Sequence, residues 1–302
     1  MTFPQLTYLI ALDDHRHFGR AAEACHVSQP TLSIQIRKLE DELGLRLVDR
    51  GHQPVVPTGP GERVIEQARA VVSERNRLQT LAAELQDRVA GTLRVGLVPT
   101  LSPYLIPLAL PALESTYPDM TLVLREWPTA EVLDALERDV LDVGLIATDE
   151  AGPDFHTEAL FSEPFVGYVA AGHPLSERSM LDVQALLLDD LWLLSEGHCF
   201  RDQVLQVCGH RPEDVRARTR LESGSLETLV HLVQRSGGIT LLPALATCHM
   251  SETEQHDHVR PFATPKPSRT IRLVVRRRHK NRLTRALKDV VRATMPDAVS
   301  FP

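Results

Sequence analysis

Apolar residues in the first 60 positions recur every three or four residues, the period of a helix with one buried face. Leu6, Leu9, Ile10 and Leu12 make one such face. Phe18 to Cys25 makes a second, with Ala21, Ala22 and Cys25 turned inward. Pro30 to Leu43 makes a third, carried by Leu32, Ile36, Leu39 and Leu43. Ser28 suits an N-cap and Pro30 a first helical turn. Between Val48 and Pro57, Gly51 and Pro54 have the turn chemistry of a small β-wing. From 61 to 89 one long helix is predicted. Val64, Ala68, Val71, Arg75, Leu78, Ala82, Leu85 and Val89 follow a 4-3 alternation, a heptad seam broken once by Arg75. Such a stripe needs a partner. A second copy is the sharper expectation, and packing on its own chain the plainer one.

Gly91 marks a boundary, after which strands and helices alternate. Leu93–Leu97, Leu122–Leu124, Val143–Ile146 and Phe165–Val169 read as strands, with helices over Tyr104–Tyr117 and Ala130–Arg138. A second series follows: strand Leu191–Leu194, helix Phe200–Val207, strand Arg218–Leu221, helix Leu226–Arg235 and strand Ile239–Leu242. Strand Ile271–Val275 and a helix over Asn281–Thr294 close the chain. The β-α-β order implies an α/β fold with a mostly parallel sheet. Two similar lobes joined by two crossings would leave a cleft for a ligand.

Composition narrows the choice of function. The chain has 302 residues, enough for two or three domains, and 43% are hydrophobic, so sizeable cores are available. The net charge is −7, and residues 1–60 hold six Lys/Arg against seven Asp/Glu. Nucleic-acid binding must therefore rest on local pattern and not on bulk charge. The run Arg276-Arg277-Arg278-His279-Lys280 reads as a solvated loop. No leader-like apolar start and no stretch near 18 apolar residues is visible, so a cytoplasmic protein without membrane contact is expected. Its four cysteines then sit in a reducing compartment, where redox-active pairs are more informative than structural ones. His15, His17, His26 and His52 lack metal-ligand spacing. Neither a metal nor a cofactor is expected.

The segment FGRAAEACHVSQPTLSIQIRKLEDELGLRLVDR, Phe18 to Arg50, suits a helix-turn-helix whose second helix enters the DNA major groove. Gln29 can pair bidentately with adenine, Thr31 and Ser33 reach base edges, and Pro30 and Ile34 offer apolar contact to thymine methyls. Arg37, Lys38 and Arg50 suit phosphates. An ordinary amphipathic helix pair is the bland alternative. Position for position, however, this stretch resembles the N-terminal domain of LysR-type transcription regulators. The resemblance covers the whole chain. It implies a winged helix-turn-helix over 1–60, a linker and dimerisation helix over 61–90, and a two-lobed effector domain over 91–302 like the periplasmic binding proteins. Lobe 1 would hold about 91–163 plus 268–302, and lobe 2 about 164–267. It also implies an operator in double-stranded DNA, a dimer that pairs into a tetramer, and contact with RNA polymerase.

Residues 195–208 read SEGHCFRDQVLQVC. If Phe200–Val207 is helical, the Cα atoms of Cys199 and Cys208 lie about 13 Å apart, while a disulfide needs roughly 7 Å or less. A bond between them would demand unwinding, so it would act as a switch and not a staple. Cys199, at a helix start behind Gly197-His198 and near Arg201, is expected to be the more acidic and reactive thiol. Cys208, among Val204, Leu205 and Val207, suits a buried resolving role. Unrelated cysteines are the plain alternative. The segment is similar to the redox loop of the OxyR group within the LysR-type family. That resemblance implies hydrogen peroxide as the signal, a Cys199 sulfenate resolved to a Cys199–Cys208 disulfide, and a cellular disulfide reductant to reset it. It puts Thr100, Thr129, His198, Arg201, Asp202 and Arg269 at or beside the peroxide pocket. Cys25 reads as core and Cys248 as incidental. Three alternatives compete: a LysR-type regulator sensing a small organic acid, a thiol peroxidase, and a solute-binding transport protein. The first has no need of the cysteine pair. The other two would leave residues 1–60 idle.

Overall fold

A computed structural model describes residues 1–149, 151–211, 224–276 and 282–301. The expected strand Arg218–Leu221 and the basic run 277–280 lie outside the described residues. The chain forms two compact units, residues 1–88 with 138–140, and residues 89–137 with 141–302.

In the first unit, α1 (Phe3–His15), α2 (Phe18–Ala24) and α3 (Gln29–Leu43) bury Leu6, Leu9, Leu12, Ala21, Ala22, Leu32, Ile36 and Leu39 in one core. Each start has a local cause. His17 Nδ1 accepts the Gly19 and Arg20 amides, and Ser28 Oγ accepts that of Thr31. α3 stops at Gly44, which is left-handed. The wing is β1 (Val48–Asp49) paired antiparallel with β2 (Val56–Pro57). Glu40 of α3 pins it, because its carboxylate accepts the Leu47 and Val48 amides and the Arg50 guanidinium. The long helix α4 (Gly59–Leu85) is capped by Thr58 and tied to α1 by Arg69, which binds both Asp13 and Asp14.

The second unit carries a seven-stranded sheet: β3 (Gly91–Leu97), β4 (Met120–Glu126), β5 (Val143–Ile146), β6 (Phe155–Val169), β7 (Ile239–Pro243), β8 (Val259–Pro261) and β9 (Ser268–Arg276). The order is β4-β3-β5-β9-β6-β7, with β8 also on β6. Only β3–β4 and β3–β5 are parallel; β5–β9, β6–β9, β6–β7 and β6–β8 are antiparallel. The expected mostly parallel sheet thus holds on one side alone. The reason is that β6 and β9 cross from one half to the other. Phe155–Pro164 of β6 pairs with β9, while Phe165–Val169 turns to β7. Leu191–Leu194 is not a strand; Leu191 makes only an isolated bridge to Ile239. Helices α5 (Ser102–Thr116), α6 (Thr129–Glu137), α7 (Cys199–Val207), α8 (Leu226–Ser236), α9 (Glu252–His258) and α10 (Arg282–Thr294) complete the unit. α9 and β8 escape the sequence pattern because both are short and lack an apolar period. No helix among the described residues is long and apolar enough to cross a membrane.

Candidate functional site

Parallel strands deliver side chains at their C-terminal ends, where ligands bind in α/β folds. Thr100 follows β3 and Thr129 follows β4, each at the entrance to a helix. Facing them is the start of α7. Gly197, with φ of 90°, makes the left-handed turn that leads in. His198 is the N-cap, and Cys199 is the first residue of the helix.

A small pocket of about 10 Å³, lined among others by Thr100, Thr129, Gly197, His198, Cys199 and Phe200, lies between these elements. That is room for about one water-sized sphere. Thr100 is buried, and its hydroxyl accepts a hydrogen bond from Arg269 Nη1 at 2.8 Å, which leaves its own proton to donate. The Thr129 hydroxyl is buried with no conventional partner among the described residues, yet lies close enough to Cys199 to favour a thiolate. Burial lowers the pKa of His198, so the ring is neutral near neutral pH and offers one N–H.

The Cys199 thiol itself departs from expectation. Burial pushes its pKa above the ordinary value. The Thr129 hydroxyl, the Arg269 charge and the Phe200 amide pull the other way, but Asp202 adds to the rise. Desolvation outweighs the helix-terminus effect, contrary to the acidic thiol that position alone implies. Arg201 does not help, because its guanidinium donates to the Leu194 carbonyl. Neither Arg201 nor Asp202 lines the cavity.

Arg269 is the buried cation of the site. Besides Thr100 Oγ1 it binds the Thr100 carbonyl at 2.9 Å and the Glu163 carboxylate at 2.9 Å, and it lies 5.3 Å from the Phe200 ring centroid. Cys208 caps the far end of α7, with its amide on the Val204 carbonyl. Burial pushes its thiol up to about 11. Both cysteines are free, nine positions apart along an intact helix.

Sequence reasoning gave no role to Glu163, Gln203 or Gly224. Gln203 Nε2 donates to the Ala147 carbonyl at 2.5 Å, tying α7 to the end of β5. A Cβ on Gly224 would sit 2.5 Å from the His198 ring, so only glycine lets that ring pack as it does. The only signal was the proximity of Gln203 to Cys199 within SEGHCFRDQVLQVC, and Gly224 left none. Glu163 left no signal at all, since its partner is 106 residues away.

In the first unit, Gln29, Pro30, Thr31, Ile34, Arg37 and Lys38 are exposed on α3, while Ser33 is half-buried. The Thr31 hydroxyl already meets Ser28 Oγ at 2.8 Å. Arg50 is half-buried, paired with Glu40 and set over the Phe18 ring, so its charge first serves the wing. On α4, Val64, Ala68 and Val71 line an apolar groove of about 740 Å³ together with Leu6, Leu43 and Leu45. Further along the seam, Leu78 and Leu85 are 67% and 81% exposed. No group of three His, Cys, Asp or Glu among the described residues could hold a metal ion.

Comparison with known proteins gives a consistent result. Residues 3–62 match the bacterial regulatory helix-turn-helix domain of the lysR family, and residues 86–296 the LysR substrate binding domain. The chain is 40% identical over 276 residues to the DNA-binding transcriptional dual regulator OxyR of Escherichia coli K12, covering 91% of this chain and 90% of that one. It is 36% identical over 300 residues to a hydrogen peroxide-inducible genes activator of Haemophilus influenzae, covering 98% and 99%. Among solved structures, a full-length cysteine-to-aspartate variant of Pseudomonas aeruginosa OxyR aligns with a TM-score of 0.77 at 38% identity, over 98% of this chain and 99% of that one. An H2O2-bound cysteine-to-serine variant of Corynebacterium glutamicum OxyR aligns at 0.63 and 27%, over 98% and 93%.

Proposed function

The chain belongs to the LysR family of bacterial transcription regulators, within its OxyR group, and on that premise we propose that it is a hydrogen-peroxide-responsive DNA-binding regulator switched by Cys199 and Cys208. Its relatives are regulators, not enzymes. The observation that carries the reading is the water-sized cavity at Cys199, walled by polar groups from Thr100, Thr129 and His198. Hydrogen peroxide, two bonded oxygens with one hydrogen on each, needs little give to enter such a space. An organic acid is too large for it.

The Cys199 thiolate attacks one peroxide oxygen, and the O–O bond breaks. The departing hydroxide takes a proton from the pocket's donors and leaves as water. Cys199 is then a sulfenic acid. The Cys208 sulfur attacks it, the S–O bond breaks, and a second water leaves. Two thiols have been oxidised and one peroxide reduced. A dithiol reductant returns the pair to its starting state. Cys208, so weakly acidic where it is buried, becomes a competent nucleophile only after α7 opens.

The remaining assignments follow the same premise. Gln29, Pro30, Thr31, Ser33 and Ile34 read the operator in double-stranded DNA, and Arg37 and Lys38 hold phosphates. Arg50 fixes the wing and reaches phosphate from there. The α4 seam and its groove dock a second copy, dimers pair into a tetramer, and the assembly contacts RNA polymerase.

The test is peptide mass spectrometry before and after low peroxide. A Cys199–Cys208 cross-link is expected in the parent, and Cys199→Ser should lose both the cross-link and the peroxide response. A Cys199→Ser variant that responds like the parent would return the organic-acid regulator to first place.

A further inference from the structure

We propose that Glu163 is a positioning residue of the Cys199 centre, aiming the Arg269 guanidinium so that its charge and its hydrogen bonds serve the thiol. The proposal deepens the peroxide-sensor reading and rests on it.

The Glu163 side chain is completely buried and that of Arg269 almost so. They stand directly opposite each other in the β6–β9 ladder, one pair before β6 leaves β9 for β7. Each atom of the pair is used. Glu163 Oε1 accepts from Arg269 Nε at 2.9 Å, and Oε2 accepts the Leu245 amide at 3.1 Å. That amide belongs to backbone, so the carboxylate cannot drift. Arg269 then has one fixed orientation. Nη1 and Nη2 reach the Thr100 hydroxyl and carbonyl, and the guanidinium lies over Phe200, the residue next to Cys199.

Both consequences bear on the reacting sulfur. The guanidinium charge favours the thiolate. Its bond to Thr100 Oγ1 uses a lone pair of that hydroxyl and leaves the O–H proton free to donate into the cavity. Without its anchor, a long, flexible arginine has no reason to keep this pose, since its buried Nε donor would lose its acceptor. The ionisable groups around the pair are Tyr104 from α5, Cys199 from α7 and Cys248 from the turn after β7, with His198 and Asp202 beside the thiol. Glu163 therefore acts in two opposing ways. Its negative charge disfavours a nearby thiolate, while its hold on Arg269 favours one. The second effect dominates.

Opposed signs make the test sharp. Thiolate formation at Cys199 is followed by ultraviolet absorbance against pH in the reduced full-length protein, with Cys199→Ser subtracted and thermal unfolding run on every variant. No peroxide is present, so this result stands apart from failure of the sensor reading. Glu163→Ala removes charge and anchor together. Glu163→Asp keeps the charge but shortens the arm, and it serves where the alanine variant does not fold. Both should move the midpoint upward by about one pH unit, roughly tenfold less thiolate near neutrality. Glu163→Gln keeps an acceptor for Nε and removes the charge, so its midpoint should stay at or below the parent's. If Glu163 is only a nearby charge, Glu163→Ala and Glu163→Gln both move downward and Glu163→Asp does not move. If it only fills space, none moves. Either pattern overturns the proposal.

Discussion

Cys199 is a thiol held back by its surroundings. Burial raises its pKa, so the protonated form dominates near neutral pH. The sign of the pH dependence follows. Only the thiolate attacks peroxide, so the rate of Cys199 oxidation should keep climbing with pH past the range in which an ordinary exposed thiol levels off. A rate series over pH, read as loss of the Cys199 thiol, checks this; a plateau below the ordinary thiol range would contradict the burial argument. Thr129→Val keeps the shape of the side chain and removes a buried hydroxyl that has no conventional partner among the described residues. Oxidation should slow by on the order of 100-fold, with the fold intact by circular dichroism. An unchanged rate would remove Thr129 from the site.

Helix α7 separates its two cysteines by its own regularity. Its nine residues are too few to be stable in isolation. Phe200, Val204 and Leu205 hold it by burial, and Gln203 by its bond to Ala147. An element so dependent on packing is the kind the proposed Cys199–Cys208 bond would have to unwind. α4 is its opposite. Its first half is tied down by Arg69 and the core, and its second half leaves Leu78 and Leu85 in solvent. Changing both to Asp removes nothing from the chain's own core, yet puts charges into the proposed coiled-coil seam. Light scattering should then report monomers, and operator affinity should fall because half-sites are read by a pair. An unchanged oligomer would assign that stripe elsewhere.

Across the whole molecule, the thiol site sits where β6 and β9 pass between the halves of the second unit. Arg269 lies on β9, Thr100 beyond β3, and Cys199 on α7, so no single element owns the chemistry. The proposed refolding of α7 would therefore disturb contacts in both halves. Cys208→Ser isolates the covalent step. It should still form a sulfenic acid at Cys199, trapped by a sulfenate-selective reagent, while its operator footprint after peroxide stays that of the reduced form. A full shift of the footprint in Cys208→Ser would mean that the sulfenate alone is the switch.

Local regularities carried much of this. The helices of the first unit, the cap at Ser28, the α4 heptads and the α7 spacing are all short-range patterns, set by residues a few positions apart, and each is legible in the sequence alone. The GHC and Cys208 segment was equally legible, because the pair lies within one helix. Long-range placement was not. The antiparallel half of the sheet depends on β6 meeting β9 more than a hundred residues later, and no periodicity encodes that pairing. Glu163 is an ordinary acidic residue until Arg269 stands opposite it. The raised pKa of Cys199 reverses a sound local argument for the same reason: desolvation comes from everything packed around the sulfur, and that sum exists only once the chain has folded.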